Sequence, residues 1–328
     1  ENKLNDEQRT ADILNLSGVA RMLESNSNDS IKLAIKDFRN SCLKETKKDK
    51  LFDPFKNFVK ASVILFDNEF RNNENELSNN FFNEIHTIYN ENKTLFEKDI
   101  KIMFIYATVI ARTENTKDVI KYLEKITNFN LDSEVSKSNE IILDKLFSFT
   151  SYIFYNNYLY DWSQSDYLDY SKKINSKLPI FRENELIEIK SSKKAKINLG
   201  FISSDLRSKY SVVYFLRSIL TTYDNNKYNI FLYNNHLKND ETTQEFSSKV
   251  FKSTQIGNLK DIEIINLVRK DQIDIIIDLN GFSSSHRLAL LKNRLAPIQI
   301  SWCGYTNTTG LDEMDYLIVD KNLIKKDE

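Results

Sequence analysis

Two hydrophobic rhythms divide the chain. Up to about Arg182, apolar residues recur at three- and four-residue spacing, as over 31–38, 99–111 and 119–126, which is the signature of helices burying one face. Asn- and Ser-rich stretches at 25–30, 72–80 and 132–139 interrupt that rhythm, so helices joined by polar turns are expected. From Lys196 the apolar residues fall in short runs, at 197–203, 228–233, 273–279, 298–302 and 316–319. Helical patterns over 212–222, 243–250, 261–269 and 287–292 separate them. Strands apolar on both faces and alternating with helices predict an α/β fold, a parallel sheet wrapped by helices. Ligands of such sheets sit beyond the carboxyl ends of the strands. The expected division is a helical region over 1–186, a linker over 187–195 rich in Lys, Ser and Glu, and a sheet domain over 196–328.

Within the helical part, the segment Asn15-Leu16-Ser17-Gly18-Val19-Ala20, followed by Ala34 and Phe38, resembles a tetratricopeptide repeat, in which small residues let two helices approach and an aromatic closes the layer. The gap from Gly18 to Ala34 is about four residues too long for that repeat and no second copy is clear, so an irregular helical bundle is the alternative. The aromatic run from Phe147 to Trp162 reads as core packing at the seam with the sheet domain, or as a stacking platform.

Composition removes several classes of function. With 46 basic and 47 acidic residues, charge gives no support for a nucleic-acid partner. No apolar run reaches the ~20 residues of a membrane span, so no membrane span is expected. Cys42 and Cys303 have no metal-type spacing and fit a reducing compartment, which makes the chain read as cytoplasmic. Neither a Gly-x-Gly-x-x-Gly fingerprint nor a phosphate loop is present, which weakens dehydrogenase and ATPase readings. With only His86, His236 and His286, a metal centre or a Ser/His/Asp triad is poorly supported, and His86 and His236 read as packed or solvated. The chain opens on Glu1 and stops in a charged run directly after a strand pattern, so a piece of a longer polypeptide is expected.

Candidate chemistry gathers at the predicted strand ends. After the first strand, Ser203-Ser204-Asp205-Leu206-Arg207-Ser208-Lys209-Tyr210-Ser211 offers hydroxyls, a carboxylate and the amides of a helix start to a polar ligand, while Ser211 is equally suited to cap that helix. Asp278-Leu279-Asn280-Gly281-Phe282 and the serines after it form a strand end and a turn, where Asn280 either bonds sugar hydroxyls or only satisfies the turn and caps the next helix. The loop Gly304-Tyr305-Thr306-Asn307-Thr308-Thr309-Gly310 carries more hydroxyl and amide groups than a connector needs, which favours a ligand loop.

As an ordered set, Gly-Phe-Ile-Ser-Ser-Asp from Gly200, the strand ending in Asp278-Leu279-Asn280-Gly281, Leu295-Ala296-Pro297-Ile298-Gln299, the Gly304 to Gly310 loop and Met314-Asp315-Tyr316-Leu317-Ile318-Val319-Asp320 resemble the O-linked N-acetylglucosaminyltransferase (Spindly-type) family of glycosyltransferases. The similarity spans roughly residues 196–321. It implies a GT-B architecture of two Rossmann-like domains, of which this chain holds the first, preceded by tetratricopeptide repeats that recruit the acceptor. It further implies transfer of a sugar from a UDP-sugar donor to Ser or Thr of a protein or peptide acceptor, with inversion and with no metal or other cofactor. The half that binds most of the UDP would follow Glu328, so the chain alone is expected to be inactive.

Carried over residue by residue, the resemblance makes Asp205 and Tyr210 the catalytic positions. Ser211, Asn280, Gly281, Gly304, Tyr305, Thr308, Thr309 and Gly310 become the substrate-binding ones. Tyr210 stands where relatives usually have His, with one extra residue in the loop, and a Tyr of pKa about 10 is no general base at neutral pH although it can donate a hydrogen bond. A second family His aligns near Ser171. Thr306 replaces the family's usual Pro, and Phe282 its frequent aromatic or His. Two readings therefore follow, an inverting protein glycosyltransferase and a non-catalytic relative that acts as an interaction scaffold.

Overall fold

The computed structural model describes residues 10–324 except 26, 71–75, 129–138, 160, 190–194, 238, 284 and 323. It divides into two compact units, Glu1–Phe149 and Thr150–Glu328.

The first unit is helical. It comprises α1 (Ala11–Glu24), α2 (Asn28–Lys44), α3 (Phe52–Phe70), α4 (Glu76–Glu91), the short α5 (Lys93–Phe96), α6 (Ile100–Thr113) and α7 (Thr116–Thr127), with α8 (Asn139–Asn156) running on into the second. Polar side chains start several of these helices: Ser27, in the expected break at 25–30, accepts from Ser30 N, Asp99 from the amides of Lys101 and Ile102, and Asn115 from Asp118 N. The expected break at 132–139 lies outside the described residues except for Asn139. Gly18 of α1 faces Phe38 of α2 so closely that a Cβ there would meet the ring at 2.5 Å, the small-against-aromatic pairing expected for these two helices. His86 is packed, its ring nitrogens lying 2.6 Å from the Tyr106 hydroxyl and 3.0 Å from that of Thr113.

The second unit opens with the end of α8 and α9 (Gln164–Asn175), then carries β1 (Ile197–Ser203), α10 (Ser211–Thr222), β2 (Tyr228–Asn234), α11 (Glu241–Ser248), β3 (Lys252–Gln255), α12 (Asp261–Lys270), β4 (Ile275–Asp278), α13 (Leu288–Lys292), β5 (Ile298–Trp302) and β6 (Tyr316–Ile318). Residues 150–186, expected with the helical region, thus lie in the same compact unit as the sheet. The aromatic run takes the packing role, since Tyr152, Trp162, Tyr167 and Tyr170 pack ring on ring with centroids 5.1 to 5.6 Å apart.

Among the described residues the six strands are all parallel, in the order β3-β2-β1-β4-β5-β6. One sheet face, built from Phe201, Ile230, Leu232 and Ile277, packs under Val212, Val213, Leu216 and Leu220 of α10 and Phe246 of α11. Ile202, Phe231 and Ile276 on the opposite face are buried too, which explains why these strands read as unbroken apolar runs. β3 is the exception. Its sequence, Lys-Ser-Thr-Gln, lies at the sheet edge with one neighbour and buries little, so no apolar signal marks it.

In this strand order the chain turns outward in both directions from the β1/β4 pair, opening a crevice at the carboxyl ends of those strands. Among the described residues no helix is long and apolar enough to cross a membrane.

Candidate active site

The loops that leave β1, β4 and β5 meet at this crevice. After β1, Ser203 Oγ accepts from Asp205 N at 3.0 Å and Ser204 Oγ donates to Asp205 Oδ1 at 2.9 Å, so the carboxylate is fixed by its own turn. From β4, the Asn280 amide reaches across: its Oδ1 accepts from Ser204 N, and its Nδ2 donates to Ser204 Oγ, both at 2.9 Å. The same Nδ2 stands 3.3 Å from Asp205 Oδ2 and 3.0 Å from Ser283 Oγ. Asn280 therefore braces the two strand ends, with its amide engaged inside the turn. Neither cap foreseen for these loops forms: α10 begins at Ser211 with Tyr210 in the capping position, and Arg287 precedes α13, each without a side-chain cap.

Asp205 is half-buried, and burial pushes its carboxyl above the usual range. The Ser204 hydrogen bond, the Arg207 charge, His236 and Asn280 all pull the other way. Arg207 also shapes Tyr210: its Nη2 donates to the phenol oxygen at 2.6 Å, and the guanidinium lies 4.4 Å from the ring centre. With that lone pair occupied, the hydroxyl hydrogen of Tyr210 is left to donate elsewhere.

Beneath this layer Asp278 is buried, and burial raises its carboxyl to about 6 against the pull of the Gly281 and Asn280 amides. Gly281 has φ +52° and a Cβ there would lie 2.3 Å from that of Tyr305, so the β4 turn and the β5 loop touch through a glycine. Tyr305 is itself only 5% exposed. It crosses Phe282 edge-on at 5.6 Å, and its hydroxyl accepts from Asn157 Nδ2 at 3.0 Å. Burial lifts its hydroxyl to about 12.

The rest of the Gly304 to Gly310 loop is held from the helices of the same unit. Asn175 Nδ2 donates to Thr309 O at 2.9 Å, Ser171 Oγ lies 3.4 Å from Thr308 O, and Asn307 donates to Asn157 Oδ1 at 3.0 Å. Thr308 Oγ1 accepts from Gly310 N at 3.0 Å, closing the loop on itself. Thr308, Thr309 and Gly310 border a cleft of about 180 Å³ together with Ser301, Asp315 and Tyr316.

The structure thus assembles Asp205, Asn280 and Gly281 at the switch point, with Tyr210 tied to them through Arg207. Gly304 and Tyr305 lie against the β4 turn, and Thr308 to Gly310 line a separate cleft. Sequence reasoning passed over Ser204, Arg207 and Asp278 as site residues although each stood inside a motif. Asn157 and Asn175 carried no signal, being 148 and 134 positions from the loop residues they hold.

A parallel sheet of this order, wrapped by helices and carrying polar groups at its switch point, is a Rossmann-like domain of GT-B-like fold. The model of glycosyl transferase family 41 matches residues 175–324 of this chain. The sequence is 38% identical over 128 residues to the probable UDP-N-acetylglucosamine–peptide N-acetylglucosaminyltransferase SPINDLY of Arabidopsis thaliana, covering 38% of this chain and 14% of that protein. It is 31% identical over 130 residues to the UDP-N-acetylglucosamine–peptide N-acetylglucosaminyltransferase of Caenorhabditis elegans, covering 38% of this chain and 11% of the relative. The fold is similar to that of an O-GlcNAc transferase mutant of Thermobaculum terrenum, with a TM-score of 0.66 and 17% identity over 94% of this chain and 54% of that one.

Proposed function

We propose that the sheet unit is part of a protein O-glycosyltransferase that moves a sugar, first of all N-acetylglucosamine, from a UDP-sugar to Ser or Thr hydroxyls of a protein acceptor. The observation that carries this reading is Asp205, a half-buried carboxylate fixed by Ser204 and Asn280 at the switch-point crevice of the segment that the family 41 model matches. The names of the relatives support the classes of donor and acceptor.

In this reading the reaction is a single inverting displacement without a metal. The acceptor oxygen bonds to the anomeric carbon as the bond to UDP breaks, and the departing phosphate takes up the acceptor proton. Asp205 and the Tyr210 hydroxyl orient the reactants, while Thr308 to Gly310 border the neighbouring cleft and Gly304 and Tyr305 support the β4 turn. Such catalysis rests on positioning and charge stabilisation more than on one base, which accommodates Tyr210 where an imidazole is usual. The helical region recruits the acceptor, in the cytoplasm. The chain spans only 14% of the Arabidopsis relative, so the complete donor site is proposed to need more polypeptide than these 328 residues, which alone would be inactive.

Calorimetric titration of UDP into the full-length protein tests the donor site. Saturable binding is expected. No binding by a folded protein would favour the scaffold reading instead.

A further inference from the structure

The carboxylate at the end of β4 is placed to govern the one beyond β1. Asp278 is 4% exposed, so no ligand reaches it without the turn opening. Both of its oxygens are spent on the backbone that follows: Oδ1 accepts from Asn280 N at 3.2 Å and Oδ2 from Gly281 N at 2.7 Å. These bonds close the turn in which Gly281 takes its positive φ. A turn held in this way aims the next side chain, and the Asn280 amide crosses from β4 to the β1 loop, where it holds Ser204 by two bonds and reaches Asp205. Ser204 Oγ, itself positioned by Asn280, then donates to the other Asp205 oxygen. Four residues from two strand ends thus form one chain of hydrogen bonds, buried at Asp278 and half-exposed at Asp205.

We propose that Asp278 is a positioning residue, which grips the turn 278–281 and, through the Asn280 amide, sets the Asp205 carboxylate for sugar transfer. The inference rests on the proposed function, because it assigns Asp205 the role argued above. It separates Asp278 from a group that merely stabilises the sheet: the carboxyl ends of the strands hold together through their own ladder, whereas the Asp278 bonds are local to the turn.

The test uses the full-length protein and UDP-N-acetylglucosamine. D278N keeps the side-chain shape but turns one acceptor oxygen into an NH₂ group facing a backbone N–H. With the carboxylate misplaced, kcat is expected to fall about 10- to 100-fold. KM for the donor is expected to change less than about threefold. N280A should lose a similar factor, and the double variant no more than the worse single one, because both cut the same chain. If D278N does not fold, D278S, which keeps one side-chain oxygen for the turn, replaces it with the same expectation. Wild-type kcat in a folded D278N or D278S, or losses that multiply in the double variant, would overturn the proposal.

Should the wild type transfer no sugar, the proposed function fails while the positioning inference remains measurable at Asp205 itself. A ¹³C NMR titration of that carboxyl should then show its midpoint rising in both D278N and N280A, since a hydrogen bond that favours the charged form is lost. Arg207 and His236, the charged and titratable groups that bear on Asp205, are unchanged in these variants. A midpoint unmoved in either variant would contradict the inference.

Discussion

Gly304 and Leu279 meet backbone against backbone: a Cβ on Gly304 would stand 1.6 Å from the Leu279 carbonyl oxygen. The loop after β5 can pass the end of β4 only because residue 304 has no side chain. No rotamer relieves an overlap with main chain, so G304A is expected to lose more than about 3 kcal/mol of stability. Urea unfolding followed by circular dichroism reads this directly, and a loss under about 1 kcal/mol would mean that the two loops do not touch.

Tyr305 tests the loop from its other side. Its hydroxyl accepts from Asn157 at 3.0 Å inside a packed setting of Phe282 and the β4 turn. Y305F keeps the ring and deletes the bond, leaving the Asn157 amide short of one acceptor, and should cost about 1 kcal/mol in urea unfolding.

The pairing of Arg207 with Tyr210 gives a prediction for activity. Y210F preserves the ring under the guanidinium but removes the hydroxyl that Arg207 orients. In the full-length protein, transfer should fall on the order of 100-fold, as for loss of one well-placed donor, while the fold is retained. Steady-state kinetics with UDP-N-acetylglucosamine would show this as a loss in kcat.

Much of this arrangement was legible before any coordinates. The β-strands buried on both faces announced themselves as apolar runs, and the glycines at 281, 304 and 310 marked the points where loops touch. β3 stayed hidden because an edge strand needs no apolar face, and its Lys-Ser-Thr-Gln sequence looks like a loop. The polar residues were found but their duties were not. Asn280 reads as a sugar ligand or as a residue that only satisfies the turn and caps the next helix, and its bonds to Ser204, 76 residues away, make it a brace instead. Tyr305, which looks like a loop aromatic offered to a ligand, is turned inward because Asn157 meets it there.

Buried Asp278 and half-buried His286 give opposing pH dependences. Asp278 is raised from 3.8 to about 6, so the unfolded chain gives up its proton first and the contribution to stability falls as pH rises between those values. His286 is lowered by burial from 6.5 to about 4, so stability is lost as pH falls through that window. Each effect is on the order of 3 kcal/mol, and they largely cancel in the wild type. D278N should therefore lose stability on acidification more steeply than the wild type, and H286Q should gain relative to it. Urea midpoints at pH 4.5 and 6.5 check both signs.

The central claim is that Asp205 serves sugar transfer. The most direct measurement incubates the full-length protein and its D205N variant with labelled UDP-N-acetylglucosamine and a protein extract, then maps the labelled residues by mass spectrometry. The account predicts label on Ser and Thr side chains with the wild type and at least about a 100-fold loss with D205N. Label transferred equally well by D205N, or no label from any UDP-sugar with the folded wild type, would contradict it.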